Sequence, residues 1–266
     1  MDLQLEGKKA LITGSTAGIG LAIAKKLVQE GASVIINGRT QERVDEAIAT
    51  LRQGTKAAQG EILGAAADLS SATDVENVTR AHPGVDILVN NVGMFDPKPF
   101  AEISDDEWLD FYKLNVLSGV RLSRFYLPKM KARGWGRIVF ISSESAVHIP
   151  AEMIHYGMTK TAQVAVARGL AEITAQTGVT VNSVLPGPTR SEGIEDFISG
   201  MAQSQGISWD EMEKQFFETE RPTSLLKRFI ETEEVANLTA YVCSPLSSAT
   251  NGAALRVDGG VVRAVL

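Results

Sequence analysis

The chain has 266 residues, enough for one large α/β domain, and its 44% hydrophobic content suffices for a sizeable core. A net charge of -6 gives no electrostatic basis for binding nucleic acid or an anionic membrane, and no apolar run is long enough to span a bilayer. The single cysteine, Cys243, excludes an internal disulfide; with a polar N-terminus unlike a signal peptide, it points to a reducing, cytoplasmic setting.

Short β-rich runs alternate with longer helical patterns. Ala10 to Thr13 reads as a strand, and Ile19 to Gln29 as a helix with Ile19, Ile23, Leu27 and Val28 at helical spacing. A strand over Ser33 to Asn37, a helix over Gln41 to Leu51 and a weaker strand over Glu61 to Ala67 follow, the last ending at Asp68. Val85 to Asn90 is a near-continuous apolar run, as expected of a strand covered on both faces. Ser104 and Glu107 spell a capping box, opening a helix that runs through Lys131 with a bend near Pro128. Arg137 to Ser142 and Val179 to Leu185 read as strands around a helix over Glu152 to Gln176. A helix over Glu233 to Cys243 and a strand over Ala254 to Val257 close the pattern, with Cys243 expected to pack rather than react. The alternation predicts an α/β fold: a doubly wound, mainly parallel sheet with helices on both faces, in a single domain over residues 1–266. The rhythm breaks once, over residues 186–228, and a long insertion after a strand end is read as a substrate lid.

Three stretches carry chemistry. Gly14-Ser15-Thr16-Ala17-Gly18-Ile19-Gly20 lies between the first strand and the first helix. Glycines there allow a tight turn, and the helix N-terminus offers free N–H groups to a pyrophosphate, so the loop reads as dinucleotide-binding. Asn37-Gly38-Arg39-Thr40 ends the second strand, where a ribose would be read; no acid appears before Glu42, and Arg39 can pair with a 2′-phosphate. Tyr156 and Lys160 are four residues apart, hence on one helical face. A phenol titrates near 10, and a neighbouring ammonium favours its phenolate, which suits acid–base work on an alcohol or carbonyl oxygen.

From Leu5 to about Val262 the sequence resembles the short-chain dehydrogenase/reductase family. Thr13 to Gly20 matches that family's Thr-Gly-x-x-x-Gly-x-Gly loop. Asp68, followed by Leu69, stands where the family contacts adenine. Asn90-Asn91-Val92-Gly93 matches Asn-Asn-Ala-Gly, with Val92 for alanine, a swap expected to narrow the space behind the cofactor. Asn115 matches the helix asparagine, and Ser143 has the family's spacing of thirteen residues before Tyr156; chemistry alone leaves Ser142 equally eligible. Pro186-Gly187-Pro188-Thr189 resembles the segment that touches the nicotinamide side.

The resemblance implies a Rossmann-like fold and hydride transfer between a nicotinamide and a carbonyl or alcohol carbon. NADP(H) would be preferred and NAD(H) possible, although Ser15-Thr16-Ala17 lacks the basic residue of some NADP-preferring relatives. Tyr156 would be the acid or base, and Lys160 would hold the nicotinamide ribose and lower the phenol pKa. Ser143 would bond the substrate oxygen, and Asn115 would hold a water leading from Lys160 to solvent. The cofactor set would be Gly14, Ser15, Thr16, Gly18, Ile19, Gly20, Arg39, Asp68, Leu69, Asn91, Gly93, Tyr156, Lys160, Pro186, Gly187 and Thr189. Small residues at Ala162, Ala165, Ala167, Gly169 and Ala171 imply a helix packed on a second copy, hence a homo-oligomer, dimer or tetramer. The expected pocket wall comprises Met94, Glu144, His148, Met153, His155 and parts of 194–217. A small ketone, keto ester or secondary alcohol fits such a wall. One alternative is a 3-oxoacyl-[acyl-carrier-protein] reductase, for which Lys129, Lys131 and Arg133 would meet the carrier; another is a non-catalytic NADP(H) sensor. No His, Cys and acid cluster has metal-ligand spacing.

Overall fold

The computed structural model describes residues 2–54 and 60–265. Seven parallel strands form one sheet: β1 (Lys9–Ile12), β2 (Ser33–Gly38), β3 (Ile62–Ala66), β4 (Ile87–Asn90), β5 (Gly136–Ile141), β6 (Val179–Pro186) and, last in the chain, β9 (Ala254–Val257). A two-residue pair, β7 (Thr189–Arg190) with β8 (Ile230–Glu231), stands apart from it. The sheet order is β3-β2-β1-β4-β5-β6-β9, so the order reverses between β1 and β4. In open α/β sheets that reversal opens a crevice at the carboxyl ends of the strands.

Strand alternation builds two cores. Ala10, Ile12, Val34, Ile36, Val139 and Ile141 face one side, where α1 (Gly18–Gln29), α2 (Gln41–Gly54) and α9 (Thr232–Cys243) pack. Leu11, Ile35, Leu88, Ile138 and Phe140 face the other, under α3 (Ala72–Ala81), α5 (Ser118–Arg133) and α6 (Ile154–Glu172). Successive side chains leave opposite faces, and full burial of such aliphatics contributes about 1.5–3 kcal/mol each. Cys243 is buried among the first set, where burial raises its thiol to about 12.

The predicted elements are present with ends shifted by a few residues. Two expectations need correction. The helix capped by Ser104 and Glu107 forms as α4 (Asp105–Tyr112) and continues into α5, but the departure from α-helix lies at Lys113–Leu117, a π turn, and α5 runs on through Pro128. The π turn carries Asn115, whose side chain bonds outside the helix. Residues 186–228 do not lack periodicity: α7 (Glu192–Gln205) and α8 (Trp209–Thr219) pack on each other around Ile198, Ala202, Met212, Phe217 and Phe229.

Candidate active site

The loop after β1 is shaped by glycines at positive φ, +58° at Gly14 and +54° at Gly18, where other residues are strained. A Cβ at Gly20 would stand 2.3 Å from the Gly14 carbonyl oxygen, so helix and loop meet at glycine contact. Asn37, which nothing in the sequence singles out, holds this loop: its Oδ1 accepts from the Gly14 N–H at 3.1 Å, and its Nδ2 donates to the Ala65 carbonyl at 2.9 Å. Asn91 serves the same loop from the end of β4, its Nδ2 donating to the carbonyls of Thr13 and Gly14, each at 2.9 Å. Ser15 is buried, its hydroxyl donating to Ile12 and accepting from the Asn37 N–H. Ser15, Gly20 and Asn91 thus support the cradle from behind, while Gly18 opens α1 at its edge with positive φ. Gly14, Thr16, Arg39, Asp68, Leu69, Val92, Gly93 and Met94 line a cleft of about 540 Å³. No side chain caps α1 at its start. The glycine cradle and the open helix end fit a dinucleotide pyrophosphate.

A second cavity, about 260 Å³, is lined by Ile19, Ser143, Tyr156, Pro186, Gly187 and Thr189 among others. Ser143 follows β5 in extended backbone; its hydroxyl accepts from the Ser145 N–H at 3.1 Å and lies close enough to the Tyr156 hydroxyl to favour its phenolate. Ser142 is engaged differently: its hydroxyl donates to the Lys160 carbonyl at 2.8 Å. The structure therefore separates two serines that chemistry alone leaves equal. The Lys160 ammonium sits 5.5 Å from the Tyr156 ring centroid, and it donates to the Ile141 carbonyl at 3.1 Å and to Gln163 Oε1 at 3.3 Å.

Electrostatics at this pair differ from the sequence expectation. Burial pushes Tyr156 up to about 12; the Ser143 hydrogen bond opposes this, Glu144 adds to it and Arg221 offsets part. Burial likewise brings Lys160 down to about 8. Desolvation of the phenolate outweighs the Ser143 hydroxyl and the Arg221 charge, so the unliganded phenol is less acidic than a free one, not more.

Asn115 does not offer a free amide to water. Its Nδ2 donates to the Met94 carbonyl and to Thr159 Oγ1, each at 3.0 Å, and its Oδ1 accepts from the Met94 N–H at 2.9 Å. Its own carbonyl accepts from Gln163 Nε2 at 2.5 Å. A hydrogen-bonded chain thus runs from Asn115 through Gln163 to Lys160, and sequence reasoning misses Gln163.

Of the expected substrate wall, Glu144, Met153, Ile194, Phe197, Met201 and Phe216 line the second cavity. Met94 belongs to the first cleft. His148 is exposed, and His155 is buried against Phe111 at 4.0 Å between ring centroids; neither lines the cleft or the second cavity. Arg221, also missed, is buried in the second cavity's wall, donating to Glu144 Oε1 at 2.8 Å and Glu152 Oε1 at 3.3 Å. Lys129, Lys131 and Arg133 spend donors on the carbonyls of Pro83, Ile173 and Val85. Among the described residues no cluster could hold a metal, and no helix is long and apolar enough to cross a membrane.

Parallel sheet, glycine cradle and the grouping of Ser143, Tyr156 and Lys160 define a nicotinamide-dependent oxidoreductase of the dinucleotide-binding α/β class. Residues 8–200 match the family model described as short chain dehydrogenase. The chain belongs to the short-chain dehydrogenase/reductase family, whose members act on CH–OH groups with NAD(P) as acceptor. It is 48% identical over 265 residues to the oxidoreductase YvaG of Bacillus subtilis, covering 100% of both chains. It is 32% identical over 263 residues to a D-beta-hydroxybutyrate dehydrogenase of Cupriavidus necator, covering 97% of this chain and 99% of the relative. Among solved structures it is similar to L-sorbose reductase of Gluconobacter frateurii complexed with NADPH and L-sorbose: TM-score 0.92, 31% identity, 100% of both chains covered.

Proposed function

We propose that this chain is an NADP(H)-preferring oxidoreductase that interconverts a small ketone or keto ester and its secondary alcohol, with NAD(H) as the weaker cofactor. The observation that carries the reading is the placement of Tyr156 and Ser143 together in one cavity wall, with Lys160 beside the tyrosine ring. The NADPH complex of the sorbose reductase neighbour supports the cofactor half of it.

When bound, the nicotinamide supplies the hydride in reduction and takes it in oxidation. Gly14, Thr16, Gly93, Asp68 and Leu69 would hold the cofactor in the cleft they line, with Arg39 at its adenosine phosphate and Ile19, Pro186, Gly187 and Thr189 at the other cavity. Ser15, Gly18, Gly20 and Asn91 fix the cradle's shape. Tyr156 donates its phenolic proton to the substrate oxygen in reduction and recovers it in oxidation. Ser143 donates a hydrogen bond to the same oxygen, where negative charge grows. Lys160 holds positive charge beside the phenol and would hold the nicotinamide ribose; Asn115 fixes Lys160 through Gln163. Residues 186–228 act as the lid, since α7 and α8 supply the apolar wall over Tyr156. Exposed Ala165 and Gly169 on α6 support self-association, which light scattering would measure.

The test is a panel of ketones, keto esters and secondary alcohols with NADPH or NADP, followed at the nicotinamide absorbance band. Turnover that disappears in Tyr156→Phe supports the reading; no turnover with any member, in either direction, overturns it.

A further inference from the structure

The second cavity has an uneven charge. Its wall contains three carboxylates, Glu144, Glu152 and Glu220, against one guanidinium, Arg221. The arginine is already paired with two of these acids. It is 5% exposed, donates through Nε to Glu144 and through Nη1 to Glu152, and gives a further bond to the Glu220 carbonyl. Glu144 is 3% exposed, and its second carboxylate oxygen has no hydrogen-bond partner. The rest of the wall is largely apolar: Phe95, Ile194, Phe197, Met201 and Phe216. Lys160 lies behind the Tyr156 ring and is not part of the wall.

We infer that this site takes uncharged carbonyl and alcohol substrates and rejects those carrying a carboxylate or phosphate. The inference rests on the carbonyl–alcohol reading above and narrows its substrate class. An entering anion would meet an excess of two acids, with Glu144 buried, Glu152 half-buried and Glu220 at the exposed rim, and the sole cation there is already paired with Glu144 and Glu152. Breaking the Glu144–Arg221 pair to free the guanidinium would strand a buried carboxylate, which is costlier than leaving the pair intact. Like-charge contact at a buried site discriminates strongly. This sets the chain apart from its 32% identical relative named for D-beta-hydroxybutyrate, itself a carboxylate. A neutral keto ester or hydroxyketone avoids the penalty, and a hydroxyl placed near Glu144 would satisfy its open oxygen.

The experiment compares acetoacetate with methyl acetoacetate, which differ at one end by a charge. The expected result is kcat/KM at least about 100-fold higher for the ester, the scale of a like-charge contact. Glu152→Gln and Glu220→Gln, each removing one negative charge, should each shrink the ester-to-acid ratio several-fold. The amide that replaces the Glu152 carboxylate keeps an oxygen for Arg221 to donate to. An acid used as well as its ester overturns the inference while leaving carbonyl reduction standing. So does a high ratio that neither variant moves. If no carbonyl turns over, the functional reading fails separately; calorimetric binding of acid and ester to the NADP-loaded protein then decides the charge question, tighter acid binding overturning it.

Discussion

Lys160 Nζ donates to Gln163 Oε1 across 3.3 Å, and among the described residues no other side chain accepts from this ammonium. The same amide donates to the Asn115 carbonyl in the π turn, so Gln163 ties α6 to the irregular segment before α5. Gln163→Met keeps the volume and removes both bonds. Losing an acceptor disfavours the charged lysine and, through it, the phenolate. Alcohol oxidation by this variant should lose about tenfold in kcat, and its pH midpoint should rise by about one unit, the worth of one charged hydrogen bond. An unchanged pH profile with normal thermal stability would reduce Gln163 to packing.

Tyr156→Phe tests the proton carrier. Its kcat should fall about 10²-fold or more, with cofactor binding retained in a fluorescence titration. Burial holds the unliganded phenol at about 12, so the phenolate is scarce near neutrality. Oxidation needs that phenolate, and wild-type oxidation rates should therefore rise with pH; the residual rate of the variant should not. Turnover within a few-fold of wild type would falsify the assignment.

Much of this arrangement is legible in the chain because its signals are local. Strand alternation at Ala10-Leu11-Ile12 separates the two cores directly, and Tyr156 and Lys160 are one helical turn apart in the sequence itself. Ser143 is reachable only through family spacing, since Ser142 has the same chemistry. Arg221 is out of reach: its bond to Glu144 spans 77 residues, and nothing near it in sequence announces a buried ion pair. Asn37 and Gln163 are invisible for the same reason. The lid helices are a different case. Ile194, Ile198, Met201 and Ala202 have helical spacing, but Gly193, Gly200 and many acids obscure the stripe. The π turn at Lys113–Leu117 has no compositional signal; the hydrogen bonds of Asn115 reveal it.

Lys160→Met should trade function for stability. Lys160 titrates near 8 in the fold against the usual 10.5, a difference of roughly 3 kcal/mol. Below about pH 8 both folded and unfolded chains carry the charge, and the penalty is fully present. Between 8 and 10.5 the unfolded chain binds more protons, so wild-type stability rises with pH. The methionine variant lacks the penalty but leaves the Ile141 carbonyl without its donor, a cost of about 1–3 kcal/mol. Denaturant unfolding of the unliganded proteins should show that variant ahead by roughly 1 kcal/mol at pH 7, with the lead lost between about pH 8 and 9 and the order reversed by about pH 10. A constant gap would mean that the buried amine is already neutral at pH 7.

The lid reading makes a proteolytic prediction. The end of α7, at Ser204 and Gln205, and its cap Gly206 are exposed at the joint with α8. Arg221 anchors the far end of the segment to Glu144 beside Ser143. Limited proteolysis of the unliganded protein should begin near 204–206, and NADP(H) should slow it by ordering the segment. Equal cleavage with and without cofactor would mark α7 and α8 as a rigid insertion.

Cofactor preference turns on Arg39. It stands exposed after β2, lining both the first cleft and a neighbouring one of about 560 Å³. Among the described residues Arg39 has no ion-pair partner, whereas nearby Arg43 donates to Glu192 on α7 at 3.1 Å. A 2′-phosphate would therefore meet one free guanidinium and one partly neutralised, with Glu192 and Asp196 in the same wall. An exposed charge contact contributes up to about 1 kcal/mol, and charged hydrogen bonds give about 1.5–3. The expected preference, as a ratio of kcat/KM values, is roughly tenfold to a hundredfold for NADPH over NADH. Arg39→Ala should bring it close to unity, mainly through KM for NADPH. Glu192→Gln should move it the other way by a few-fold, because Arg43 is released toward the phosphate, and salt should blunt the gain. A wild type that prefers NADH, or a preference that Arg39→Ala leaves intact, would place phosphate recognition elsewhere than at the end of β2.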